Sequence, residues 1–204
     1  MIHETWEVQR YLQGEHIHKK CIYRICLLLA RWYKEQGMNH MQIREAIFDW
    51  ARQFHVHIDH QVNNIIYQAF REQRPLNGDV AVYVNETDIA AIASWFDAKN
   101  SRLTALAILL YAKVYADEKQ EFVLPGTALS QWTGIAASTL SERALPELID
   151  FGYISKIQAE QQFAWNSRVK SKSSKYRIHV PLKNEGNYLL VHNDLQTLYS
   201  QVFG

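Results

Sequence analysis

The residues of this 204-residue chain best suited to chemistry lie late in the sequence. From Arg168 to Arg177 it reads RVKSKSSKYR, which places Arg168, Lys170, Lys172, Lys175 and Arg177 in one run that contains no acidic residue. Such a run is a polyanion contact, because each cation that neutralises a phosphate releases the counterion condensed on it. The serines between the cations predict a flexible, polar tip. A second group precedes it: Ser138, Thr139, Ser141 and Arg143 offer hydroxyls that bond phosphate oxygens and a guanidinium whose fork fits a guanine edge. Thr127 and Gln131, one helical turn apart, extend this group on its N-terminal side. The whole chain carries a net charge of only +1, so any field that attracts nucleic acid has to be local.

Other reactive groups lead away from catalysis. Among nine histidines, His16 and His18 lie near the start, and His55, His57 and His60 cluster beside Asp59. No second His or Cys group at zinc-binding spacing accompanies them, so no metal is expected. Leu124-Pro125-Gly126-Thr127 has too few glycines and no Lys-Ser/Thr pair for a phosphate loop. Asp117 and Glu118 sit in a solvated linker, and no serine has glycine-flanked nucleophile spacing. The expectation is therefore neither an enzyme nor a cofactor protein. Cys21 and Cys26 fall in a helical pattern and read as small packed hydrophobes in a reducing cytoplasm. The opening MIHETWEVQR is no signal peptide, and the longest apolar runs, such as Ile25 to Ala30, are too short to cross a bilayer. No membrane partner is expected.

The elements that must position the candidates follow from hydrophobic spacing. Ser101, a plausible N-cap, opens a helix with Leu103, Leu106, Ala107, Leu110 and Val114 on its inner face. Phe122 to Leu124 reads as a short strand closed by Pro125-Gly126. Thr127 caps the short helix ALSQW, anchored by Leu129 and Trp132, and Gly134 makes a tight turn. Ser138 or Thr139 starts the next helix, with Leu140, Leu145 and Leu148 facing inward and Pro146 expected to kink or restart it. Gly152 then reverses the chain into Tyr153-Ile154, and Tyr176 to Val180 alternates as a half-buried strand. Phe163 and Trp165, just before the basic run, suit either stacking on bases or, the favoured reading, docking the run on a tail helix that starts near Asp194. Helix, strand, helix, turn, helix, hairpin is the order of a winged helix-turn-helix. Leu148 to Ile154 resembles the helix ending of winged-helix families, which implies duplex DNA as partner.

The first half is helical. A helix over residues 18–36 buries Ile22, Ile25, Cys26, Leu29 and Trp32 and ends at Gly37. A second from Met41 carries Ile43, Ile47 and Trp50. A third, N-capped by Asp59, buries Val62, Ile65, Ile66 and Ala69. Val80 to Val84 reads as a short strand or an extended arm, and Thr87 or Asp88 caps a helix through Phe96. The expected architecture is mostly α, with a helical bundle over residues 1–97 and a winged helix-turn-helix domain with a small β-hairpin over 98–204. Residues Lys20 to Arg71 resemble the helical domain at the C-termini of phage and plasmid primases. The residues that match are Arg24-x-x-Leu27-x-x-Ala30, Gly37-Met38, Ile43-x-x-x-Ile47-x-x-Trp50 and Ile65-Ile66-x-x-Ala69-Phe70. That resemblance implies a replication-linked module for contact with protein or nucleic acid, and no catalysis. The combined layout resembles replication accessory and initiation proteins of Gram-positive phages and mobile elements. Such a protein would hold DNA with one half and recruit a replicative helicase, a primase or a second copy of itself with the other. A winged-helix transcriptional regulator and a phage module directed at a host protein are the competing functions.

Overall fold

The computed structural model describes residues 2–18, 21–73, 75–78, 80–157 and 174–204. It divides into two units, Ile2–Val80 and Ala81–Gly204, each with its own core. No helix among the described residues is long and apolar enough to cross a membrane.

The first unit is built from α1 (Glu4–Leu12), α2 (Ile22–Glu35), α3 (His40–Gln53) and α4 (Val62–Arg71). Ile25, Leu29, Ile43, Ile47, Val62 and Ile66 recur at three- and four-residue spacing and are all fully buried. Each such side chain contributes roughly 1.5–3 kcal/mol of transfer free energy. Gly37 ends α2 in the left-handed region at φ 81°. Its N–H reaches the Lys34 carbonyl and that of Met38 reaches Tyr33, which satisfies two carbonyls the helix end leaves open. Asn39 and Gln42 then cap α3 reciprocally. α1 was not legible from spacing, since its sequence is polar, yet Val8 and Tyr11 enter this core. Asp59 is not the N-cap of α4. Its carboxylate accepts from Gln61 N–H at 2.8 Å, holding the turn before the helix, and α4 starts only at Val62. Cys26 is buried and Cys21 half-buried, both as free thiols, and burial pushes the Cys26 thiol up to about 12.

The second unit is mostly helical with two small antiparallel sheets. In chain order it contains β1 (Tyr83–Val84), α5 (Glu86–Trp95), α6 (Lys99–Tyr115), β2 (Glu121–Leu124) and α7 (Gly126–Thr133). There follow α8 (Ala137–Thr139), a π-helical segment Leu140–Ala144, α9 (Leu145–Asp150), β3 (Ile154–Ile157), β4 (Ser174–Ile178), β5 (Tyr188–Leu189) and α10 (Leu195–Phe203). One sheet pairs β1 with β5, and the other runs β2-β4-β3 with β4 central. α6 is the axis: Leu103, Leu106, Ala107 and Leu110 are buried on it, together with every residue between Leu103 and Ala112. Tyr153 is fully buried and its hydroxyl donates to the Ala105 carbonyl at 3.3 Å. Trp95 and Phe96 meet the Tyr153 ring edge-on at 5.5 and 5.6 Å, a favoured arrangement for aromatic pairs.

Those rings correct the expected boundary at 97/98. Ile92 and Phe96 bury against the core of the later unit, so the chain divides after Val80 and α5 belongs with residues 81–204. Lys113, whose side chain is fully buried, reinforces the join by donating to Asp88 and to the Tyr83 carbonyl, both at 2.7 Å. Leaving either charge of such a pair unpaired costs about 3–5 kcal/mol. Three expected caps also move. Asn85, not Thr87, caps α5, in a reciprocal box with Asp88. α6 starts at Lys99, so Ser101 lies inside it, buried and donating to Glu147. Pro125 precedes α7, placing Thr127 within the helix. Asp194 does cap α10, accepting from the Thr197 N–H at 3.1 Å.

Candidate nucleic-acid interface

One tight turn and one change of helical winding set the geometry of the candidate surface. α7 ends at Gly134, whose φ of 72° lets the chain reverse. The turn is fixed by Ser130 donating to the Ile135 carbonyl at 2.6 Å and Thr133 donating to the Leu129 carbonyl at 2.8 Å. Leu129 is fully buried as expected. Trp132 is half-buried, and its indole N–H donates to the Asn193 carbonyl at 2.8 Å, tying α7 to the segment before α10. After the turn the chain stays helical from Ala137 to Asp150 but not uniformly α.

Pro146 explains the winding. In an α-helix its ring would meet the carbonyl four residues earlier, and its missing N–H would leave that carbonyl open. The chain instead widens to π winding over Leu140–Ala144, where the Leu145 N–H bonds the Leu140 carbonyl, and α9 begins with Pro146 in its first turn. The helix therefore restarts at the proline, as its sequence predicts, without breaking. The inner face becomes Leu140, Ala144 and Leu148, all buried, while Leu145 is only half-buried.

The outer face carries the candidates. Ser138, Ser141 and Arg143 are exposed and Thr139 is half-buried. Arg143 meets no carboxylate among the described residues. Ser141 donates its hydroxyl to the Ser138 carbonyl at 3.1 Å, so its proton reaches a phosphate only if the hydroxyl turns. Gln131 is exposed on α7, and Thr127 lies in the first turn of the same helix. The structure thus puts Ser138, Ser141 and Arg143 on the surface of one helical run that directly follows the turn at Gly134.

The three-stranded sheet corrects the electrostatics expected for the basic run. Arg168, Lys170 and Lys172 lie outside the described residues, as do Phe163 and Trp165. Lys175 and Arg177 stand on β4, two residues apart and therefore on one face. That face also carries Glu121 of β2, directly opposite Arg177 in the register. The Glu121 carboxylate accepts from both cations. Their hydrogen bonds hold its pKa below the ordinary carboxylate value, and the bond to Glu121 raises that of Lys175. Two positive charges and one negative leave a net +1 here, rather than two uncompensated cations. Across β4, Ser155 of β3 pairs with Arg177 in the register and lies 2.9 Å from the His179 ring. Lys156 of β3 is exposed and has no ion-pair partner among the described residues. Glu121 was missed because its role depends on strand pairing, not on sequence proximity.

Among the described residues no three His, Cys, Asp or Glu side chains converge as a metal site, and His55, His57 and His60 are all exposed. No family model, curated protein or solved structure matches the chain.

Proposed function

We propose that residues 81–204 form a winged helix-turn-helix that binds duplex DNA, and that the chain is a replication accessory or initiation protein of a phage or mobile element. The observation that carries the DNA reading is the sheet order β2-β4-β3 around α6, α7 and the helical run 137–150. It leaves Ser138, Ser141 and Arg143 exposed after a tight turn, and the sequence between β3 and β4 contains Arg168, Lys170 and Lys172. In this arrangement the start of the run 137–150 enters a major groove, where Arg143 reads a base edge and the hydroxyls hold phosphates. Arg168, Lys170 and Lys172 add sequence-independent attraction to the flanking backbone. The replication role rests on the likeness of residues 20–71 to the primase helical domain.

The test is fluorescence anisotropy of the full chain with random duplex DNA at two salt concentrations. Salt-sensitive duplex binding is expected, and Lys170→Ala with Lys172→Ala should weaken it on all sequences alike. Absence of duplex binding at low salt refutes the proposal. Selection of one palindromic site by an obligate dimer would replace replication with transcriptional regulation, while binding to iterated sites or capture of a replicative helicase would support replication.

A further inference from the structure

The helical unit 2–80 presents a surface that its own core does not explain. Tyr67 and Phe70 lie three residues apart on α4 and are 59% and 40% exposed. Phe70 is one of the positions that match the primase domain, yet it stands outside this core. The His40 ring, at the start of α3, adjoins both: its centroid is 4.4 Å from that of Tyr67 and 6.2 Å from that of Phe70, tilted by 38° and 33°. His40 Nε2 is shielded from solvent and meets no hydrogen-bond partner, so the imidazole serves here as an aromatic face.

Cations border these rings. Lys34 Nζ lies 5.9 Å from the Phe70 ring centre and is held there by the Ala69 and Glu72 carbonyls at the end of α4. Arg71 is exposed next to Phe70. Arg44, one helical turn beyond His40, is exposed with its guanidinium over the Phe48 ring at 5.1 Å. Neither arginine meets a carboxylate among the described residues. Asn64 and Gln68 add exposed amides to α4. A protein partner's apolar anchor would ask for aliphatic neighbours around the rings. Around the rings, exposed cations and amides (Arg44, Arg71, Asn64, Gln68) outnumber the acidic Glu45 and the aliphatic Met41, and Glu72 is held by Arg31.

Exposed rings at Tyr67 and Phe70, backed by the His40 ring and bordered by cations, suit unpaired nucleotides, whose bases stack irrespective of sequence while phosphates meet the cations. A duplex cannot use such a platform, because its bases already stack on one another. We propose that Tyr67 and Phe70, supported from behind by the His40 ring, form a stacking platform for single-stranded DNA, with Lys34, Arg44 and Arg71 as its phosphate contacts. The choice of DNA over RNA rests on the duplex-DNA reading of residues 81–204; the platform itself does not.

The experiment is anisotropy of labelled oligothymidylate with the full-length chain. It compares the wild type, Tyr67→Leu/Phe70→Leu and Lys170→Ala/Lys172→Ala, with circular dichroism confirming that the helices remain. Leucine keeps apolar bulk at exposed positions and removes only the ring faces. The leucine variant should bind oligothymidylate at least about fivefold more weakly, the low end of what one stacked base contributes, with duplex affinity unchanged. Arg71→Gln should flatten the salt dependence of that binding by about one phosphate contact. Loss of single-strand binding in the leucine variant supports the platform even if the Lys170/Lys172 variant keeps its duplex affinity, a result that would count against the duplex reading alone. Wild-type binding of oligothymidylate by the leucine variant overturns the platform, as does absence of oligothymidylate binding at low salt. Tighter binding of oligouridylate than of oligothymidylate overturns the assignment to DNA.

Discussion

Replacing Glu121 by Gln should make the protein bind duplex DNA more tightly, and by an amount that depends on salt. In the free chain the Glu121 carboxylate accepts from both Lys175 and Arg177, so a phosphate approaching either cation has to displace it. The glutamine is isosteric and keeps an acceptor oxygen but removes the charge, taking the local balance from +1 to +2. Each additional phosphate neutralised steepens the dependence of log K on log salt by about 0.9. One freed cation is then worth about eightfold at 0.1 M salt relative to 1 M, and two about sixtyfold. Fold stability should change little: the Glu121 side chain is only 10% exposed, but glutamine keeps its shape and an acceptor oxygen, and Lys175 and Arg177, 38% and 45% exposed, stay solvated without the ion pair. The assay is anisotropy with random duplex across a salt series, with Glu118→Gln as control: it makes the same change in net charge in the exposed loop before β2. Tighter binding and a steeper slope for Glu121→Gln alone are expected. Equal slopes for wild type and Glu121→Gln would mean that Lys175 and Arg177 never meet phosphate, and the contact would then belong to other residues.

Further outcomes follow from single residues. Arg143→Ala should weaken binding to a preferred site by about 1–3 kcal/mol, the range of a bidentate base contact, and random duplex much less; equal loss on both would reduce Arg143 to a backbone contact. Asp194→Ala removes the cap of α10 and should lower its local stability by about 1 kcal/mol, measured by hydrogen exchange of the α10 amides. The Thr197 side chain, then its N–H, hold the Asp194 carboxyl below its ordinary value. Its contribution is therefore complete above the unfolded carboxyl's range and fades as pH falls through the depressed folded value. A difference from wild type that stays constant into strong acid would count against the cap. Cys26, buried with its thiol raised to about 12, should resist alkylation at neutral pH until the chain is unfolded; rapid labelling of Cys26 in the native protein would place it at the surface.

Helical spacing and glycine chemistry made much of this fold readable. The three- and four-residue recurrence of Ile22, Ile25 and Leu29 predicts α2, and Gly37, Gly134 and Gly152 all sit at positive φ where the sequence turns. Caps were less legible, because neighbouring polar residues compete for one role. Asn85, Thr87 and Asp88 each suit a cap, and the reciprocal bonds of Asn85 with Asp88 decide it. The unit boundary was misplaced because α5 reads as a continuation of the helices before it, while the burial of Phe96 beside Tyr153 is a tertiary fact. The candidate interface was half legible. Ser138, Ser141 and Arg143 are where a short helix after a turn would display them, but the carboxylate that masks Lys175 and Arg177 comes from a strand fifty-six residues before Arg177. Ile65 shows the same limit in reverse, since periodicity offers it to the core and packing leaves it only half-buried.

The π turn at Leu140–Ala144 has a consequence for how this sequence can change over generations. The widened turn accommodates Pro146, and Pro146 is what makes an α turn costly at that place. Deleting one residue within the turn would restore α winding but set the proline ring against the preceding turn, a cost of about 3 kcal/mol or more. Substituting the proline alone would leave a wider turn with nothing to accommodate. Neither feature can be lost cheaply before the other, so the two are bound in descent: lineages that inherit this helix should carry the extra residue and the proline together, or have neither.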